Sequence, residues 1–230
     1  GNMEVFHRYG TAEQKKQWMI PLMNGEIRSA FLMTEPQVAS SDATNVETSI
    51  QRDGDDYVIN GTKTWISNSI NGSCFAMLVK TDAKADPRYK GMSLFIAPKQ
   101  EGFTTGKKFK KLGYNCIDSA ELIFDNYRLP ADHLIGGVEG QGFFQATGGL
   151  ELGRINVAAR GVGIAEGSLR LATEYAQVRQ TMGKPICEHQ AIQLKIGEMV
   201  TRARAARLLT FDAAEAYDRG DRCDMEAGMA

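Results

Sequence analysis

Near residue 140 the hydrophobic period of the chain changes. From about 31 to 135, apolar residues come in short β-rich runs divided by turn residues: Phe31–Met33, Tyr57–Asn60, Lys63–Ser67, Phe75–Lys80, Met92–Ala97, Phe103–Phe109 and Leu122–Phe124. From about 142 the composition turns to Ala, Leu, Glu, Gln and Arg, and apolar residues recur at steps of three and four, as at Ile192, Ile196, Met199, Val200, Ala203 and Ala206. Strands first and long helices afterwards read as α+β in segregated layers, not as the alternating βαβ of a nucleotide-binding sheet. The close turn spacing predicts a small antiparallel β-barrel or sandwich. Helices expected over about 142–178 and 188–219, joined through Arg179–Cys187, predict an antiparallel helical hairpin.

Two dipeptides, Asp53-Gly54 and Asn60-Gly61, tolerate the positive φ of tight turns, and Tyr57–Asn60 followed by Thr62–Ser67 fits strand, turn, strand. Ahead of the β-region, Thr11 and Gln14 form a capping-box pair, so a short helix is expected at about 11–23, bent near Pro21. One short helix cannot bury an apolar face alone. Residues 1–30 must therefore lean on the rest of this chain or on sequence outside it. The expected division is a helical remnant over 1–30, a β-domain over 31–135 and a partial helical domain over 136–230.

Several function classes are disfavoured by composition and spacing. With 27 Lys+Arg against 28 Asp+Glu the formal charge is −1, which argues against charge-driven binding of nucleic acid. The run Lys107-Lys108-Phe109-Lys110-Lys111 reads as a solvated strand edge. Cys74, Cys116, Cys187 and Cys223 form no CxxC pair, and His7, His133 and His189 form no HExxH pattern, so no metal site is expected. Gly148-Gly149 and Gly161-Val162-Gly163 lie within a helical pattern, where a phosphate-binding turn would break it. No apolar run approaches the ~18–20 residues of a membrane span, and Gly1-Asn2-Met3-Glu4 is not the basic start of an export signal.

Met33-Thr34-Glu35-Pro36 closes one strand run and Trp65-Ile66-Ser67-Asn68 closes another. Hydroxyls beside an indole at strand ends suit a flat heteroaromatic ligand, the hydroxyls meeting its polar edge and the ring covering a face. Taken alone, those residue types are common at strand ends. Their order decides more. Met33-Thr34-Glu35-Pro36 with Ser41-Asp42, Asn60-Gly61-x-Lys63-x-Trp65-Ile66-Ser67-Asn68, Gly140-x-Gly142-Phe143, Gly153-Arg154, Arg179-x-Thr181-x-Gly183-Lys184 and Glu188-His189-Gln190 resemble the acyl-CoA dehydrogenase family, in the family's order and across nearly the whole chain. Gly1–Val5, Gln14–Trp18 and Val38–Asn45 are similar to the member-eleven-like branch.

The resemblance implies an FAD enzyme that oxidises an acyl-CoA thioester to its trans-2-enoyl product and passes electrons to an electron-transferring flavoprotein. It implies flavin contacts at Met33, Thr34, Trp65 and Ser67. It also implies nucleotide contacts from a neighbouring subunit at Arg179, Thr181 and Gln190, and hence a homodimer or homotetramer. Substrate contacts fall on Ser41, with Ser40 as the alternative because one extra residue follows Pro36, and on Glu151 and Arg154. Residue by residue, the bland alternatives are a helix-end cation for Arg179, a turn residue for Thr181, a solvated first-turn residue for Gln190 and a surface ion pair for Glu151 with Arg154. Isovaleryl-type members carry their catalytic base immediately before the arginine, a position held here by Gly153. The base is therefore expected in a C-terminal segment beyond this chain, which reads as a piece shortened at both ends. Acyl-CoA oxidase is the nearest alternative activity. A non-catalytic flavin- or acyl-CoA-binding module, or a plain scaffold, is the alternative of a different class. The bacterial cytoplasm fits this reading, or the mitochondrion or peroxisome of a eukaryote.

Overall fold

In the computed structural model, which describes residues 1–230, seven strands build one curled sheet: β1 (Ser29–Leu32), β2 (Ser49–Asp53), β3 (Asp56–Ser67), β4 (Cys74–Lys80), β5 (Met92–Pro98), β6 (Phe103–Thr105) and β7 (Ser119–Pro130). Their order is β1-β4-β2-β3-β7-β6, with β5 on β4. The expected all-antiparallel domain needs correction: β1 runs parallel to β4, with Ser29 opposite Cys74, and β2 meets β4 through a parallel bridge between Ser49 and Lys80. Parallel neighbours need a long crossover, and the 36–48 loop with the β2–β3 hairpin supplies it.

β4 and β5 are buried on both faces, which is why they read as near-continuous apolar runs, broken only by the buried Ser93, rather than alternating ones. Phe75, Met77, Val79, Phe95 and Ala97 point into the curled sheet, where they meet Ile59, Leu122, Phe124, Tyr127 and Leu129. On the opposite face, Cys74, Ala76, Leu78, Met92, Leu94 and Ile96 are covered by Val5 and Phe6 of α1 (Asn2–Tyr9), by Trp18, Met19 and Leu22, and by Phe143 and Ala146. The first 30 residues thus lean on this chain's own sheet. After α1 the backbone continues through α2 (Ala12–Gln14), a π-helical turn (Lys15–Met19) and α3 (Ile20–Met23). Thr11 and Gln14 make the capping box, and Gln14 Nε2 also donates to the carbonyls of Asp132 (2.6 Å) and Leu134 (2.8 Å). The irregularity expected at Pro21 falls one turn earlier, in the π segment, because Pro21 occupies the first turn of α3, where no intrahelical N–H is required.

Asn60-Gly61 is not a hairpin. β3 runs through it, and at this point β7 carries an extra residue: Ile59 faces Tyr127, and Gly61 faces Phe124. Asn126 takes up the bulge at φ +49, its amide donating to Asn60 Oδ1 at 2.8 Å. The hairpin forms at Asp53-Gly54, between β2 and β3.

Two compact units divide the chain, Gly1–Gly149 and Leu150–Ala230. The second holds most of α4 (Gly142–Val178), then α5 (Gln190–Asp218) and α6 (Asp224–Met229). Ile155 packs with Ala213, Ala216, Cys223 and Ala227, and Glu166 pairs with Arg207 at 3.2 Å, so α4 and α5 run antiparallel as the sequence predicts. Between them β8 (Gln180–Thr181) pairs with β9 (Lys184–Pro185) through a turn at Met182 and Gly183, both at positive φ. No helix is long and apolar enough to cross a membrane.

Candidate functional site

The ends of β1 and β3 meet at one edge of the β-unit, where the Thr64 amide donates to the Thr34 carbonyl at 2.9 Å. Met33 and Thr34 are half-buried there, and Ser67 is exposed. Lys63 faces Leu122 and Ile66 faces Ala120, so Thr64 and Trp65 together oppose a single residue of β7. This bulge places Trp65 at φ +56, a region bulky residues rarely adopt and which costs of order 1–3 kcal/mol. The kink swings the indole out of the sheet: it is 61% exposed and rests against the Phe109 ring at 4.4 Å. Asn68 follows at φ +63, held by its amide to the Asp118 carbonyl (3.0 Å) and its side chain to the Ser29 carbonyl (2.8 Å).

Three charged side chains that received no site role from the sequence organise this edge. Asp118 accepts from Ser69 Oγ (3.0 Å), the Ile70 amide (2.7 Å) and Asn71 Nδ2 (2.7 Å), fixing the turn that leaves β3. Burial pushes its carboxyl up, but those bonds outweigh it and hold the group below the ordinary value. Glu35 and Lys63 form a fully buried ion pair at 2.7 Å. Burial drives Lys63 down to about 8 against the opposing pull of Glu35. Burial raises Glu35, yet the Lys63 ammonium and the amide bond from Glu47 bring it below its usual range. Glu35 and Lys63 lie inside the motifs that carry the family resemblance, which gives neither a role, and Asp118 lies in none of them.

Between Glu35 and Glu47 runs the loop with the two serines. Ser40 Oγ accepts from the Glu35 amide at 3.1 Å and reaches the carbonyls of Glu35 and Val38 at 3.4 Å, so this hydroxyl closes the loop. Ser41 is exposed. In the helical unit, Glu151 and Arg154 share a face of α4 but do not pair with each other: Glu151 Oε1 accepts the Cys223 thiol at 3.5 Å, and Arg154 is exposed. The surface ion pair that their spacing allowed is absent. Arg179, Thr181 and Gln190 are all exposed and cluster at the β8–β9 turn, where the Ile186 amide donates to the Arg179 carbonyl at 2.8 Å.

Residues 30–127 match the model of the acyl-CoA dehydrogenase middle domain, and residues 140–230 match that of the acyl-CoA dehydrogenase C-terminal domain. The chain belongs to the acyl-CoA dehydrogenase family. The family consists of FAD-dependent oxidoreductases. Acyl-CoA dehydrogenase family member 11 of Gallus gallus is 43% identical over 226 residues, covering 95% of this chain and 29% of that protein. The mitochondrial short-chain specific acyl-CoA dehydrogenase of Mus musculus is 39% identical over 224 residues, covering 97% and 53%. The solved butyryl-CoA dehydrogenase of Megasphaera elsdenii superposes with a TM-score of 0.93 at 34% identity, over 99% of this chain and 59% of that one. The chain spans 29% to 59% of the length of these relatives.

Membership of the acyl-CoA dehydrogenase family leaves individual motif residues to be explained by packing. Gly140 and Gly142 are structural here: Gly140 has φ +78 and a Cβ on Gly142 would lie 2.4 Å from the Ser93 carbonyl carbon, so they let α4 start directly against β5. At Gly153, by contrast, a Cβ would meet nothing within 4 Å.

Proposed function

We propose that this chain carries the flavin- and thioester-contacting part of an FAD-dependent dehydrogenase that converts an acyl-CoA to the trans-2-enoyl-CoA and passes the electrons to an electron-transferring flavoprotein. The observation that carries the reading is the joining of Thr34, Trp65 and Ser67 at one edge, through strand ends tied to each other. The donor set fits an isoalloxazine: threonine and serine groups offer hydrogen bonds to a polar heterocycle edge, and an indole already turned out of the sheet covers a face and excludes water. When bound, FAD supplies the hydride acceptor. Ser41 is the free hydroxyl of its loop and the better candidate for the thioester than Ser40, whose oxygen is engaged. In this reading Arg154 meets the nucleotide end of CoA and Arg179 holds a pyrophosphate together with Thr181 and Gln190; the support is the family resemblance and the exposure of all four side chains. Glu151, bonded to the Cys223 thiol, is a weaker substrate contact and is not assigned as base.

A homodimer or homotetramer belongs to the same reading, because the resemblance assigns Arg179, Thr181 and Gln190 to the nucleotide of a neighbouring subunit; the exposed Ile164, Leu171, Tyr175, Val178, Leu194 and Leu208 of α4 and α5 are open to such a partner or to further helices of the same domain. Relatives occur in bacteria and in mitochondria, and the bacterial cytoplasm or a eukaryotic mitochondrion or peroxisome is the compartment this reading carries.

The test is reconstitution with FAD followed by anaerobic addition of butyryl-CoA as probe. Retained yellow colour supports the flavin assignment, and bleaching by butyryl-CoA supports dehydrogenation by this chain. Yellow protein that does not bleach makes the chain a binding or assembly module. Colourless protein rejects the flavin site. Hydrogen peroxide formed in air would move the activity to an oxidase.

A further inference from the structure

Burying an ion pair is costly, and an apolar pair of similar volume is often as stable or more so, so the Glu35–Lys63 pair is poorly explained by stability alone. Its bonding says what else it does. Lys63 Nζ donates to Glu35 Oε1 (2.7 Å), to the Leu78 carbonyl (2.7 Å) and to the Met33 carbonyl (3.2 Å), which uses all three of its N–H groups. Glu35 accepts in addition from the Glu47 amide at Oε2 (2.6 Å) and the Thr48 amide at Oε1 (3.1 Å). One ammonium and one carboxylate therefore join four backbone pieces: the end of β1, the middle of β4, β3, and the far end of the loop that carries Ser40 and Ser41. Thr34 lies between Met33 and Glu35, and Trp65 stands two residues after Lys63. Met33, Thr34 and Trp65 are thus within two residues of this pair and Ser41 is inside the loop it closes, while Ser67 follows four residues after Lys63 on the same strand.

We propose that Glu35 and Lys63 are a positioning pair, which holds the flavin-facing strand ends and the thioester-facing loop in one fixed relation. With its three protons donated to protein oxygens, Lys63 has none to offer a ligand, so the pair acts through Thr34, Trp65 and Ser41 and not by proton transfer. The inference rests on the flavin reading for its functional meaning, but its physical content can be read without FAD.

The experiment compares a reference chain that keeps Glu35, Lys63 and Ile59 with the double variant Glu35→Leu/Lys63→Met, which removes both charges at similar volume, and with the core variant Ile59→Val as a control for general loss of stability. All three carry Trp18→Phe, so that Trp65 is the sole fluorophore of its kind. In the absence of FAD, the double variant is expected to lose protection of the Glu47 and Thr48 amides by about tenfold or more and to shift Trp65 emission and acrylamide quenching, with Ile59→Val near the reference chain in both. FAD affinity is expected to fall about tenfold or more in the double variant alone. Exchange, emission and affinity equal to the reference chain in the double variant would overturn the proposal, as would an equal loss in Ile59→Val. If the double variant does not fold, Glu35→Gln, which keeps the shape and one acceptor, is measured by the same criteria. If the reference chain itself does not bind FAD, the flavin reading fails, while exchange and emission still decide whether the pair positions these segments.

Discussion

Ser40 and Ser41 are neighbours in sequence with different employment. The first spends its oxygen closing the loop, while the second stands in solvent. Ser40→Ala is expected to cost about 1 kcal/mol of stability and to loosen the loop. Ser41→Ala should leave the melting temperature unchanged and weaken acyl-CoA binding by the FAD-loaded protein. Thermal melts beside butyryl-CoA titrations check both, and a Ser41→Ala variant with wild-type affinity would return the contact to Ser40 or remove it. The family resemblance carried by the motifs' order singles out Thr34, Trp65 and Ser67, which residue type alone does not. It gave no role to Glu35, Lys63 or Asp118, because a carboxylate or ammonium in sequence looks like surface until the elements that bury it are known. Nor did it show the Trp65 backbone, whose positive φ is imposed by pairing with β7.

Among the elements, long periodic segments were the most legible: α4 and α5 fall within two residues of the ranges expected from their apolar spacing. β2 went unseen since Ser49–Asp53 is polar apart from Ile50, the one residue it buries. α1 went unseen as well, its apolar face being only Val5 and Phe6 with flanking aromatics. The β8–β9 turn read as plain loop because methionine gives no signal for a two-residue turn with both central residues at positive φ. Met182 pays for that conformation and is 90% exposed, so no contact offsets it. Met182→Asn should raise the stability of the helical unit by about 0.5–1 kcal/mol, since asparagine tolerates this region. A lower melting temperature for the variant would show that the turn is not what the backbone angles indicate.

For the whole molecule, the acid side of the stability curve belongs to the β-unit. Glu35 and Asp118 both titrate below their ordinary values of 4.5 and 3.8 in the folded chain. Between folded and unfolded values the unfolded chain holds more protons, so their stabilisation is complete above about pH 5 and is lost as pH falls through the lower folded values. Lys63 has the opposite charge and a folded value of about 8 against 10.5, so its own contribution to stability rises with pH between those values. Urea unfolding from about pH 3 to about pH 7 should therefore show a steep acid loss that Asp118→Asn makes shallower, and an unchanged slope in that variant would refute the assignment. The sequence by itself determined the order of β-unit and helices, the helical hairpin and the strand-end motifs, because period, turn residues and spacing are local properties. Tertiary structure alone decided the parallel β1–β4 pairing, the burial of Glu35 with Lys63 and the outward turn of Trp65. Each of those depends on partners far away in the chain: β1 and Lys63 on β4, which is buried on both faces, and Trp65 on the register of β7.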